Sequence, residues 1–248
     1  MLKAIILCAG KGIRLQPYTI NHQKAMLKLH GKPFLEYILE GLIFAGFQEF
    51  IFVVGYRKEQ ITNYFQSGRN WNVNIEYYEQ KELNGTGGAL LLCEKSIVNN
   101  HFLLTWGDIL VPYRIYKKIV EIHQKEKHDY ILVANYMDDP YLGAAVYSED
   151  KICTNIIEKP QPGTSKTNLN NCGVFIFSKQ IFNILRNLSP SERGEIEVPK
   201  ALLKGIKEHN WKVRVVEMGK NQLRVDLGVK QIYEHLRDDS SWLNFLKI

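Results

Sequence analysis

The sequence has no stretch near the roughly 20 apolar residues of a membrane-spanning helix. Its apolar run at residues 4–9 is too short for the core of a secretory leader, and no cleavage pattern follows it. The four cysteines, at 8, 93, 153 and 172, form no C-x-x-C pair. The seven histidines form no H-x-x-x-H, so zinc has no ligand set. No G-x-S-x-G elbow is present, which leaves serine hydrolase chemistry without a nucleophile. Low-complexity tracts and repeats at solenoid periods are also missing. The formal charge is +6, yet no run of Lys and Arg or basic–aromatic alternation concentrates it. A nucleic-acid partner is therefore not expected, nor is a membrane. Cys8 and Cys172 fall inside apolar strand patterns and read as small buried hydrophobes. That usage suits a reducing compartment, so a cytoplasmic location is the expectation.

What is present begins at the amino terminus. The apolar strand Ala4-Ile5-Ile6-Leu7-Cys8 empties into Ala9-Gly10-Lys11-Gly12-Ile13-Arg14-Leu15-Gln16-Pro17-Tyr18-Thr19, and Lys24 follows. Glycines let a backbone approach an anion closely, and successive N–H groups then point at it. Arg14 and Lys24 add charge, so the segment reads as a phosphate cradle. It is not a dinucleotide fingerprint, because Leu15 stands where the third glycine belongs. It is not a Walker A loop, because Gly12 and not a hydroxyl residue follows Lys11.

Along the chain, strand and helix patterns alternate. Strands are expected at 3–8, 50–54, 73–78, 101–106 and 130–136, and helices at 33–46, 58–65, 89–97 and 113–127. After about residue 138 strands crowd together, at 143–147, 153–158 and 171–177. Helices at 179–188 and 197–208, strands at 212–217 and 223–226, and a helix from 229 complete the pattern. Continuous apolar runs suit strands buried on both faces, and the alternation predicts an α/β fold with a doubly wound, Rossmann-like mixed sheet. One domain over 1–248 is expected, since no linker is long enough to separate a second.

Open α/β sheets bind ligands at the carboxyl ends of their strands. That rule selects the loop at 10–24, Gly107-Asp108, Glu158-Lys159-Pro160 and Asp226-Leu227-Gly228. Asp108 and Asp226 are a natural pair for Mg²⁺, a hard cation held by one or two carboxylates plus phosphate oxygens. Gly85-Thr86-Gly87-Gly88 is a second small-residue segment against which a flat ring can lie, and Thr86 could equally cap a helix there.

Gly-x-Gly-x-Arg-Leu-x-Pro-x-Thr, then Lys24, then Gly31-Lys32-Pro33 opening a helix, resembles the signature of the sugar-1-phosphate nucleotidylyltransferases. The resemblance runs from Lys3 to the helix after Gly228 and implies the nucleotide-diphospho-sugar transferase fold. Residues 1–137 would form the nucleotide-binding half and 138–248 the sugar-binding half. The short stretch after Asp226 leads to the expectation of a single-domain form without a left-handed β-helix. The implied reaction joins an NTP and a sugar 1-phosphate into an NDP-sugar and pyrophosphate.

Under that resemblance Leu7, Ala9, Gly10, Lys11 and Gly12 meet the nucleotide, with Arg14 on the leaving pyrophosphate and Lys24 at the α-phosphate. Asp108 and Asp226 hold Mg²⁺, while Gly85, Thr86 and Gly107 lie along the base and ribose. Gln80 offers an amide donor and acceptor that match the imide edge of uracil or thymine, which favours UTP or dTTP. Gly143, Glu158, Lys159 and Asn171 face the sugar phosphate, with Glu195 a further sugar-facing candidate. Two residues depart from the family's pattern: Gln23 stands where proline usually precedes the lysine, and Trp106 replaces the common Asn before Gly107-Asp108. Other readings stay open: a cytidylyl- or guanylyltransferase acting on another phosphorylated small molecule, phosphocholine included, a non-catalytic nucleotide-sugar-binding subunit, and a homo-oligomer of either kind.

Overall fold

A computed structural model describes residues 2–247. The chain opens with β1 (Lys3–Cys8), a loop with two 3₁₀ turns, and the short hairpin β2 (Lys28–Leu29) and β3 (Lys32–Pro33). Next come α1 (Phe34–Phe44), β4 (Glu49–Val54), α2 (Lys58–Phe65), β5 (Asn74–Glu79) and α3 (Gly85–Leu91). They are followed by β6 (His101–Trp106), β7 (Ile109–Leu110), α4 (Tyr113–Glu126) and β8 (Tyr130–Tyr136). The remainder is β9 (Ala144–Glu149), β10 (Ile152–Glu158), β11 (Leu169–Ser178), α5 (Ile181–Arg186), α6 (Val198–His209), β12 (Val213–Glu217), β13 (Val225–Asp226) and α7 (Lys230–Asp238).

Nine strands form one mixed sheet in the order β5-β4-β1-β6-β11-β8-β12-β10-β9. The β5-β4-β1-β6 part is parallel. β11 then inserts antiparallel between β6 and β8, and all ten of its residues are buried. Successive side chains of a strand point to opposite faces, and β1 shows the consequence. Ala4, Ile6 and Cys8 enter one core, with the buried faces of α1 and α4; Ile5 enters the other, with α3, α5 and α6. Helices thus cover both faces, as a sheet of continuous apolar strands requires.

Local chemistry sets several boundaries. Pro33 precedes the first residue of α1 with φ −60°, and Gly46 lies just beyond the helix at φ +93°, a region open to glycine. The expected helix at 89–97 is instead α3 at Gly85–Leu91 followed by a 3₁₀ turn at Glu94–Ser96. Its glycines carry no apolar periodicity, so the pattern revealed only the later part. Hydrogen bonds from Gly87 N to Ile196 O (2.7 Å) and from Ile196 N to Asn84 O (2.8 Å) hold the glycine-rich turn in place. The strand expected at 223–226 is only Val225–Asp226, and it pairs with β7 away from the main sheet. All four cysteines are free and buried. No helix among the described residues is long and apolar enough to cross a membrane.

Candidate active site

The loops at the carboxyl edge of the parallel strands surround a cavity of about 450 Å³. Leu7, Ala9, Gly10, Arg14, Lys24, Gln80, Gly85, Thr86, Gly107, Asp108, Gly143, Glu158, Lys159, Asn171, Glu195 and Asp226 all line it. Lys11 and Gly12 line an adjoining hollow of about 300 Å³, which Arg14 and Lys24 share. Gly12 sits at φ +64°, and a Cβ there would come 3.1 Å from both the Lys24 Cβ and the Thr19 Cγ2. The bare glycine lets the lysine stem pass, and Thr19 Oγ1 donates to Gly12 O (2.7 Å) to fix the turn.

The Lys24 ammonium pairs with Asp108 Oδ2, and both side chains are largely buried. Asp226 reaches the same place by strand pairing. In the β13–β7 ribbon Asp226 lies opposite Ile109, and Leu227 N donates to Asp108 O (2.9 Å). Burial pushes the Asp226 carboxyl above its usual range, and the charge of Asp108 pushes it further; Arg224, Lys24 and Arg14 pull the other way. Arg224 Nη2 stands 3.3 Å from Asp226 Oδ2. A Cβ on Gly228 would lie 2.7 Å from Asp226 Oδ1 and 3.2 Å from Arg14 Nη2, so a side chain there would displace the ends of this carboxylate and arginine. Two hard oxygen donors on adjoining backbone segments are the ligand type and number that Mg²⁺ takes from protein beside a polyphosphate.

Gln80 is buried, and its amide nitrogen donates to Asn84 Oδ1 and to Gly85 O, both at 3.0 Å. Both amide protons are thereby used. The expectation that Gln80 offers a donor and an acceptor is corrected: its free function is the carbonyl oxygen. Thr86 does not cap α3, whose flanking residue is Asn84; its hydroxyl instead accepts from Val198 N (3.1 Å) at the start of α6. Gly107 has a packing reason as well, since a Cβ there would lie 2.6 Å from the Cys8 Sγ. Trp106 explains a fourth glycine. Its ring lies against Gly173, at φ +80°, where any Cβ would collide with it.

At the other end, Lys159 adopts φ +45°, rare for a lysine, and its N–H donates to Gly143 O (2.7 Å). Asn171 Oδ1 accepts from Gly173 N (3.0 Å), which fixes the side chain of this cavity-lining residue. Arg193 and Glu197 line the cavity too, and neither was picked out from the sequence. The Arg193 guanidinium pairs with Glu197 and lies 3.6 Å from Glu195 and 3.8 Å from Glu158. Burial, and then the charge of Glu197, raise Glu158 from 4.5 to about 7, with Arg193 only partly offsetting them. A carboxyl raised on folding favours the folded state at low pH, and that contribution fades as pH climbs from about 4.5 to 7. Glu158→Gln is expected to flatten this part of the profile by about 2–3 kcal/mol in urea unfolding between pH 5 and 7.5.

Residues 3–243 match the model of the nucleotidyl transferase family. The chain belongs to that family. Among its relatives, the bifunctional protein GlmU of Methanococcus maripaludis is 37% identical over 217 residues. That match covers 88% of this chain but 49% of the relative, so the chain spans about half the length of the curated relatives it matches first. The UTP–glucose-1-phosphate uridylyltransferase AglF of Haloferax volcanii is 31% identical over 204 residues, covering 81% of this chain and 82% of that one. The crystal structure of UDP-glucose pyrophosphorylase complexed with UDP-glucose superposes with a TM-score of 0.84 at 24% identity, over 96% of this chain and 97% of that one. It shows the same nucleotide-diphospho-sugar transferase fold.

Proposed function

We propose that the chain is a sugar-1-phosphate nucleotidylyltransferase that uses UTP or dTTP. One observation carries the reading. The β13–β7 ribbon sets Asp226 against Asp108 in the same cavity that Lys24 and Arg14 enter, with Glu158, Lys159 and Asn171 also on its wall. A polyphosphate end and a polyhydroxyl end then share one cleft. The similarity to the UTP–glucose-1-phosphate uridylyltransferase AglF supports it.

The attacking group is a sugar-phosphate oxygen, already an anion, so no general base is needed. Catalysis reduces to positioning and charge neutralisation. Arg14 and, from the adjoining hollow, Lys11 receive the leaving pyrophosphate. Lys24 neutralises the α-phosphate at the reacting phosphorus. Lys159, fixed by its turn and its bond to Gly143, aligns the sugar phosphate, and Glu158 and Asn171 bind sugar hydroxyls. Asp108 and Asp226 would hold Mg²⁺, which supplies charge neutralisation on the phosphates when bound. The free Gln80 carbonyl accepts from the imide N–H of uracil or thymine, whereas the cytosine ring presents an acceptor at that position.

A matrix of NTPs against sugar 1-phosphates, scored by pyrophosphate release, tests this. UTP and dTTP are expected to outpace CTP and ATP by about 10-fold or more, the scale of one net hydrogen bond. Release with CTP or GTP matching UTP would overturn the base assignment. Silence across the whole matrix would overturn the activity.

A further inference from the structure

Gln23 is a buried polar residue, 1% exposed, on the cavity wall immediately before Lys24. Burial of a glutamine is unfavourable unless its polar groups are paired, and each of these is. Nε2 donates to Cys8 O (2.6 Å), and Oε1 accepts from Ala25 N (2.5 Å). The backbone N–H donates to Gln60 Oε1 (2.7 Å) on α2, and the carbonyl accepts from Met26 N (2.9 Å). Gln60 closes the circuit by donating Nε2 to Asn21 O (2.8 Å). The residue thus fastens three segments together: the carboxyl end of β1, the 3₁₀ turn Lys24–Met26, and α2.

We propose that Gln23 is a positioning residue that fixes where the Lys24 ammonium stands over the phosphate site. Its side chain caps the turn that Lys24 opens and ties that turn to the strand end from which the phosphate loop departs. A lysine stem carries many rotatable bonds, and only a fixed Cα allows its ammonium to meet Asp108 reproducibly. This inference rests on the proposed role of Lys24 at the α-phosphate.

The test is a double-mutant cycle with Gln23→Met, which keeps the length of the side chain and removes both of its bonds. Gln23→Met is expected to lower kcat by about 10- to 100-fold, with KM for the nucleotide changed by less than about 3-fold. Added to Lys24→Ala, it should lower kcat by no more than about 2-fold further, because the residue it positions is gone. Multiplicative losses would overturn the proposal and point to a general packing defect. Gln60→Ala serves as the milder partner should Gln23→Met fail to fold. It removes the acceptor of the Gln23 backbone N–H and the donor to Asn21 O while leaving both Gln23 side-chain bonds in place, and a loss of about 3-fold with the same non-additivity is expected. A readout independent of turnover separates this idea from the enzymatic reading. The ¹³C resonance of reductively methylated Lys24, identified by its loss in Lys24→Arg, is expected to move both in Gln23→Met and in Asp108→Asn, which removes the carboxylate paired with the ammonium. An unmoved resonance overturns the positioning role, whether or not pyrophosphate is released.

Discussion

Lys24→Ala is expected to reduce kcat on the order of 10²- to 10³-fold while leaving the half-saturating Mg²⁺ concentration no higher than in the wild type. The ammonium sits largely out of solvent, paired with Asp108, where a charge acts more strongly than in water. In the proposed reaction, attack by the sugar phosphate would build negative charge on the oxygens of the α-phosphate. A cation already in place meets it without reorganisation, which is the condition under which charge stabilises a transition state most. The second part of the expectation follows from the ion pair. Removing Lys24 relieves Asp108 of a competing cation, so the carboxylate becomes a freer ligand, not a poorer one. Turnover near the wild-type rate would remove Lys24 from the mechanism.

Asp108→Asn is expected to act with the opposite metal signature. Turnover at saturating UTP should fall by about 10²-fold or more, and the Mg²⁺ titration should move to higher concentration. An amide is a weaker ligand than a carboxylate, and it also leaves Lys24 without its counter-ion. The neighbouring Asp226 adds a further expectation. Its carboxyl is held above its usual range by burial and then by Asp108. With Asp108 neutral, that repulsion ends and Asp226 ionises more readily. Direct binding of Mn²⁺, followed by electron paramagnetic resonance, should weaken in Asp108→Asn. An unaltered Mg²⁺ titration and unaltered Mn²⁺ binding would sink the assignment of the two aspartates as a metal pair.

The parts of this site legible in the sequence are those where one strand delivers one loop. The phosphate cradle after β1 and Asp108 after β6 obey the carboxyl-end rule for open sheets, and both line the cavity. Asn171 breaks the rule, because it lies near the amino end of β11, which runs antiparallel to β6. Only the family resemblance pointed to it. Asp226 was legible as a residue but not as a geometry: a two-residue strand has no periodicity, and its partner Ile109–Leu110 is equally short. Arg193 and Glu197 were missed because a charged run before a helix reads first as a solvated start. What distinguishes them is burial of Glu197 against Arg193, a property of the folded chain alone. The Gln80 amide shows the reverse. Its type was readable, but the direction in which it offers hydrogen bonds depended on Asn84 and the Gly85 carbonyl.

The insertion of β11 has a consequence for how the protein is made. β6 precedes Asp108 and β8 lies within the first 137 residues, yet the strand between them spans residues 169–178. A nascent chain that has emerged only through β8 carries two apolar strand edges with no partner between them. Such edges are templates for pairing with other chains. The sheet, and with it the cleft, cannot be complete until β11 has been made. Until then the growing polypeptide is most exposed to aggregation, and a chaperone that shields strand edges would have its effect in that interval.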